Sequence, residues 1–571
     1  STMAGSLQTA VLGMRAYQEM LNVTGNNIAN ADTTAYKQSR ITFSDIFSRT
    51  LRQGVAGGDS GGGGGTNPIQ IGQGVAVSSV DRNLSQGGFV STERDFDVAI
   101  DGEGYFVVND GSRNLFTRDG TFDVDANGYL VDASTGYMVQ RIGTVGEEDG
   151  FQVTGSASIQ IPYKTELPGS HTENITFKGN LSASDQNATA SKLKASAIAY
   201  RLNTGGFGDE GAEFADIQQL SGFNDGDTID ISGRMRDGTA ATGTFTYGAA
   251  NDGTTLGDLL ASIETTLGGS SAVSASMEEG NIVVEDAQTG YSLLDVNLAS
   301  SVAGLEDTMP QDFDYVDVGG AAAQTTNITV YDQQGQTHAV TGTFVRQGAD
   351  RNVWDLVINS ISGSSTVADR RIAGIRFDDT GTFQGISMED GFGHTAADAG
   401  FEHLDDNFGV QFPAISSEQV LGVDFGRTGY HEGLTQVGGE SSAGAIQQDG
   451  YGRGSLQNVA IDGNGVLRGT FSNGVTKDIA ALRVAVFDNA QALESAGGNF
   501  FRSTNAVGST IYSQGMQGRA GRVRQNVLED SNVDIASEFT QLIVAQRGFQ
   551  VNSRTVHVTN GLFQNLTMLV S

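Results

Sequence analysis

The two ends of this 571-residue chain constrain it more than anything between them. Stepping by four and three from Met3 gives Leu7, Ala10, Met14, Tyr17, Leu21, Thr24 and Ile28. The same stepping from Ile535 gives Phe539, Leu542, Gln546, Phe549, Ser553, Val556, Asn560, Phe563, Thr567 and Val570, and seven of these eleven positions are apolar. That spacing is the a/d seam of a coiled coil, narrower than the stripe of a helix lying on a globular core. One such helix would ordinarily pack on its own domain. Two, one at each terminus and both nearly free of charge, point to burial against each other and against other copies.

Charge sharpens the contrast. Residues 1–53 carry a net +2, and so do residues 500–571. The whole chain is −34, so with +4 at the ends the body, 54–499, holds −38. Such a body repels nucleic acid and anionic lipid, while the near-neutral ends can pack on identical ends. No apolar run approaches the roughly 18 residues of a membrane span, and no basic n-region followed by an apolar stretch marks a signal peptide. There is no cysteine, which excludes disulfides and thiolate metal sites.

The chain is too long for one core. The fold class is multi-domain, a terminal α-helical coiled coil plus nested mainly-β domains. Residues 1–30 and 533–571 form the inner helical domain, and 31–90 and 500–532 connect it outward. Alternating Phe96, Val98 and Ile100, the run YFVV at 105–108 and the turn DANG at 125–128 mark a β domain. It resumes at Leu482, Val484 and Val486, giving a first β domain of 91–167 and 418–499. A second β domain takes 168–198 and 320–417. Residues 199–319 form an inserted outer domain with strands and one helix, LGDLLASIETTL at 256–267. The tract GGDSGGGGG at 57–65 reads as a flexible spacer. Nesting of this kind brings the first and last residues together.

Chemical motifs are sparse. DVDANG at 123–128 starts like a calcium loop, but its twelfth position is Ser134 and no helices flank it, so it reads as a hairpin turn. The six histidines show no ligand spacing, and no GxSxG elbow anchors a Ser/His/Asp triad. No catalytic residue, metal or cofactor is expected.

TGNNIANADTTAYKQSR (24–40) and SNVDIASEFTQLIVAQRGFQVNSRTV (531–556) resemble the terminal signatures of bacterial flagellar rod and hook proteins. GYFVV (104–108), LFTRDGTFDVDANGYLVD (115–132), FGRTGYHEGLTQ (425–436) and DGYGRGSLQNVAIDGNGVLRGTFSNG (449–474) are similar to the hook branch. Ala35 stands where the family has glycine. The resemblance implies a non-enzymatic subunit of the curved tube joining rod to filament, located in the extracellular flagellum and exported by the type III route without a cleaved signal. It implies contacts with itself, with rod and hook–filament junction proteins, and with the hook cap and export apparatus during assembly, but none with nucleic acid and no membrane insertion. Leu7, Met14, Tyr17, Leu21 and Ile28 would pack with Ile535, Phe539, Leu542, Phe549, Val556, Phe563 and Val570 in self-assembly. Asn22, Asn26 and Asn27 would hydrogen-bond where the chain leaves the first helix. The competing readings are a distal rod or hook-associated axial protein, a surface-displayed adhesin-like module, and a secreted hydrolase.

Overall fold

The computed structural model describes residues 2–55, 64–184, 187–348, 352–363, 365–402, 404–412 and 417–570. Most of the glycine tract at 57–65 lies outside the described residues. Three α-helices occur among the described residues: α1, Thr2–Ala29; α2, Leu256–Thr266; and α3, Ile535–Val570. The other described residues form strands, turns and three single-turn 3-10 helices. The chain divides into two compact units, Ser1–Leu167 with Gly454–Ser571, and Pro168–Arg453.

In the first unit α1 and α3 pack antiparallel, because Gly13 meets Asn552, Tyr17 meets Gly548 and Asn27 meets Glu538. Four strands follow α1: β1, Ser39–Asp45; β2, Ser48–Arg52; β3, Ile69–Gly72; and β4, Val75–Arg82. β1 pairs with β4 and β2 with β3, both antiparallel. The first β domain is closed across the long insertion by Val484–Phe487, which pairs with Tyr105–Asn109 in a nine-stranded sheet. Its core gathers Tyr105, Val107, Phe116, Phe487, Leu493 and Phe501, with Phe116 edge-on to Phe487 at 4.8 Å, the favoured aromatic geometry.

One turn recurs through both units. In DANGY, DQQGQ, DDTGT, DGFGH and DGNGV the aspartate carboxylate accepts the N–H groups two and four residues on. The glycine at the fourth place has φ between 74° and 92° in all five, which a side chain would strain. Asp125 thus closes its own loop, as a hairpin turn requires.

In the second unit a five-stranded antiparallel sheet spans residues 323–386. Beside it, Asn174–Asn180 organises a six-stranded sheet. That strand pairs in parallel with Gln419–Asp424 and Leu434–Thr435, and antiparallel with Gly444–Gln448. Residues 419–448, assigned by sequence to the first β domain, thus lie in the second unit. Their strand character is local, but the choice of partner is not written in local pattern. The inserted domain also begins earlier than residue 199: Lys192–Lys194 pairs with Asn281–Asp286 and Asp314–Asp317. Its ends are joined where the Thr189 N–H donates to the Gly320 carbonyl at 3.0 Å.

α2 starts at a capping box. The Asp258 N–H donates to Thr255 Oγ1 at 3.2 Å, and the Thr255 N–H donates back to Asp258 Oδ2 at 3.0 Å. Leu256, Leu259, Leu260 and Ile263 of α2 are buried in the inserted domain's core. A buried ion network ties this domain to the five-stranded sheet. Arg371 Nη1 lies 2.9 Å from the fully buried Asp355 carboxylate, which also accepts from the Tyr291 hydroxyl, and Arg370 pairs with Asp312.

Nearby, burial and the carboxylates of Asp405 and Glu418 push Asp369 up to about 7. The folded chain therefore holds this proton between the ordinary carboxylate value of 3.8 and about 7, where the unfolded chain has lost it. The stability it contributes is present at acid pH and is lost as pH rises through about 7. Thermal melts from pH 5 to 8 should show the second unit weakening as pH rises, and Asp369→Asn should flatten that slope. An identical slope in the variant would show that Asp369 is not its source.

Candidate functional site

The helix pair uses its smallest residues as the seam. On α1 the buried positions are Ala10, Gly13, Ala16, Thr24 and Asn27; on α3 they are Glu538, Ala545 and Thr559. A Cβ on Gly548 would fall 2.5 Å from the Tyr17 ring, and one on Gly13 would fall 2.9 Å from Asn552 Oδ1. The helices approach closely because these side chains are missing.

The larger residues singled out by spacing are not among these buried positions, although Tyr17 meets Gly548 across the seam. Leu7, Met14, Tyr17, Leu21, Ile28, Leu542, Phe549 and Val556 are half-buried, and Ile535, Phe539 and Phe563 are exposed. The side chain of Val570 lies outside the described residues. Of the named residues, the structure brings Tyr17 directly onto the partner helix. The outer surface of α3 is apolar and open: Phe539 is 50% exposed, Val551 and Val558 63%, and Ile543 and Val544 are exposed as well. Large apolar side chains displayed along one helix mark an interaction surface.

Gly548 and Gly561 make a matched pair for testing the seam. Alanine favours a helix over glycine by about 1 kcal/mol, and a Cβ on Gly561 meets nothing within 4 Å. Gly561→Ala should therefore raise the protection of α3 amides against hydrogen exchange. Gly548→Ala should lower it, because overpacking against Tyr17 costs about 1–3 kcal/mol. Equal protection in both variants would contradict the seam.

Where the helices meet the β domain, the polar groups are paired in two buried clusters. Glu529, with no exposed side-chain surface, lies between Lys37 Nζ at 2.5 Å and Arg118 Nη1 at 3.4 Å. The Gly87 N–H donates to the same carboxylate at 3.0 Å, and Lys37 also donates to the Ser85 carbonyl at 2.8 Å. Burial pushes the Lys37 ammonium below its usual value, and Glu529 opposes that shift. In the second cluster, Asn27 Nδ2 donates to Glu538 at 3.1 Å and to the Ser39 carbonyl at 2.8 Å, while the Ser39 N–H donates to Asn27 Oδ1 at 3.0 Å. Gln38 donates to Glu538 as well. Asn26 reaches the Tyr36 hydroxyl at 3.2 Å. Asn22 instead bonds Glu19 within the helix, since it sits almost two turns short of the helix end. Sequence reading missed Lys37, Glu529 and Glu538. Nothing local distinguishes them from surface charges.

Ala35 is buried with φ 58°, and its N–H donates to the Glu529 carbonyl at 2.8 Å. A left-handed alanine costs about 1–2 kcal/mol. Ala35→Gly should therefore stabilise the first unit in a thermal melt, and a lower melting temperature would contradict the strain.

Asp332, His338 and Ser365 follow one another in the order of a hydrolase triad. Ser365 Oγ is 3.5 Å from His338 Nδ1, and Asp332 Oδ2 is 3.2 Å from Nε2. The serine is beyond the roughly 2.6–3.2 Å needed for proton transfer. Asp332 is the aspartate of a recurrent turn, and Phe412 packs on the imidazole at 4.4 Å. The arrangement fastens a hairpin.

Four family descriptions match the chain: "Flagella basal body rod protein" at 7–37, "Flagellar hook protein FlgE/F/G D1 domain" at 99–183, "Flagellar basal body protein FlaE D2 domain" at 297–451, and "Flagellar basal body rod FlgEFG protein C-terminal" at 524–569. The chain is 27% identical to the flagellar hook protein FlgE of Borreliella burgdorferi over 99% of this chain and 100% of that one. It is 27% identical to that of Treponema pallidum over the same shares. Over 24% of this chain and 51% of the relative it is 43% identical to the flagellar basal-body rod protein FlgG of Bacillus subtilis.

Proposed function

The chain belongs to the flagellar hook protein family, and from the helix pair we propose how it acts as a structural subunit of the hook. α1 and α3 fasten to each other through the small-residue seam and present the outer face of α3 to neighbouring copies. The observation that carries this reading is that face. Phe539, Ile543, Val544, Val551 and Val558 are exposed on a helix that is nearly free of charge, in a chain whose body is −38. Burying such a face among identical neighbours removes apolar surface from water at about 25 cal/mol per Å², while the acidic β domains remain solvated outside. The two buried clusters around Glu529 and Glu538 couple the helices to the first β domain, so torque applied to one is carried to the other.

Hook proteins form part of the flagellum outside the cell, and self-polymerisation is the family's mode of action. For this chain the proposed further partners are rod and hook–filament junction proteins, with the cap and type III export apparatus engaged during assembly. Electron microscopy of the purified chain at high concentration tests the reading. Curved tubes are expected. Straight tubes would favour a rod component, and the absence of polymer would overturn self-assembly.

A further inference from the structure

The inserted domain and the second β domain do not meet flush. Within the second unit they leave a cavity of about 280 Å³, whose lining includes Asp295, Tyr315, Asp369 and Phe401. That size is at the small end of ligand pockets. Phe401 is a fixed part of the wall. Its ring stacks on the His394 imidazole at 4.1 Å and lies 4.0 Å from the Arg234 guanidinium carbon. Arg234 also donates to the adjacent Gly400 carbonyl, and Asp390 holds His394 at 2.8 Å.

The charges around this cavity are matched on one side only. Its three guanidiniums are committed to acceptors of the chain: Arg234 to the Gly238 and Gly400 carbonyls, Arg370 to Asp312 and the Ile358 and Asn359 carbonyls, and Arg371 to Asp355 and the Ser292 carbonyl. Two carboxylates of the lining are not matched in this way. Among the described residues no side chain donates to Asp295 or Asp369; Asp295 accepts from the adjacent Val296 N–H, and Asp369 from the Arg370 and Arg371 N–H groups. Burial raises both above the ordinary 3.8, at Asp295 against the opposing charges of Arg370 and Arg234. An enclosed carboxylate without a paired cation is costly, so the lining is complementary to a cation. Its aromatic rings favour an organic one, because ammonium groups are drawn to such faces. Among the described residues no group of three or more His, Asp and Glu is placed to hold a metal ion.

We infer that this cavity binds a small primary ammonium ion, with the charged head on Asp295 and the alkyl stem against Tyr315 and Phe401. A diamine offers a second head to Asp369. The bound ion joins the inserted domain to the second β domain and stabilises the second unit by mass action.

Equilibrium dialysis of the full chain against putrescine tests this on the single chain, whether or not tubes form. One putrescine should bind per chain at pH 8, and binding should weaken at pH 5, where Asp369 carries its proton. Asp295→Asn should weaken binding by about tenfold or more, the usual effect of losing a hydrogen bond to a charged group, and Phe401→Leu should weaken it less. Glu285→Gln, at an exposed carboxylate of the same domain, should leave it unchanged. Putrescine should also raise the melting temperature of the unmodified chain. Undiminished binding to a folded Asp295→Asn chain, an equal loss in Glu285→Gln, or the same rise in melting temperature from sodium chloride at matched ionic strength would overturn the site. If Asp295→Asn does not fold, binding that is equal at the two pH values and undiminished in Phe401→Leu would overturn it.

Discussion

Glu529→Ala should lower the stability of the first unit by about 3–5 kcal/mol, the usual effect of removing one partner from a buried ion cluster. At the slope expected for a unit of this size, its melting temperature should fall by roughly 10 °C. The variant leaves Lys37 and Arg118 buried without their shared anion and the Gly87 N–H without its acceptor. The loss should also depend on pH in a set direction. Lys37 is already pushed below its ordinary 10.5 by burial, and without Glu529 it falls further. Between the lowered folded value and 10.5 the unfolded chain binds the extra proton, so stability rises with pH. The deficit of the variant should accordingly shrink from pH 7 to pH 9.5. Glu494→Ala is the control: its partner Arg502 is 43% exposed, and such a screened surface pair adds little. Similar melts for the two variants would show that the Glu529 cluster does not fasten helices to β domain.

Phe539→Asp should abolish assembly and leave folding untouched. Phe539 is half exposed in the single chain, so its replacement removes little from the folded subunit. In the polymer packing proposed above the same position would be buried against neighbours, where a carboxylate without a partner costs several kcal/mol. Every subunit repeats that cost. Sedimentation should find the variant in the supernatant at concentrations where the unmodified chain pellets, with superimposable thermal melts. Normal pelleting would remove Phe539 from the interface, and a lowered melt would mean that it packs on its own subunit.

The sequence made some of this legible and withheld the rest for identifiable reasons. The helices announced themselves through spacing and low charge. The stepping pattern caught Ala10 and Thr24, which are buried, but most of its positions are bulky, such as Leu7 and Phe549, whereas the closest intrachain contacts run through Gly13 and Gly548, whose value lies in what they lack. Continuing from Ala10 through small residues at steps of three would have added Gly13 and Ala16. The recurrent turn was visible in DANG, and its full form, aspartate followed three residues later by glycine, also occurs at 332, 378, 390 and 462. The clusters at Glu529 and Glu538 could not be read, because Lys37 and Glu529 are separated by 492 residues and look solvated in local context. The same limit misplaced residues 419–448: strand character is local, and partner choice is made by the fold.

The most direct test of the central claim is a helical reconstruction of tubes formed by the unmodified chain. The account predicts that α1 and α3 of each subunit pack antiparallel through Gly13 and Gly548, with Phe539, Ile543 and Val551 buried against adjacent copies. A tube in which the outer face of α3 stays in solvent, or in which β domains alone join the subunits, would contradict it.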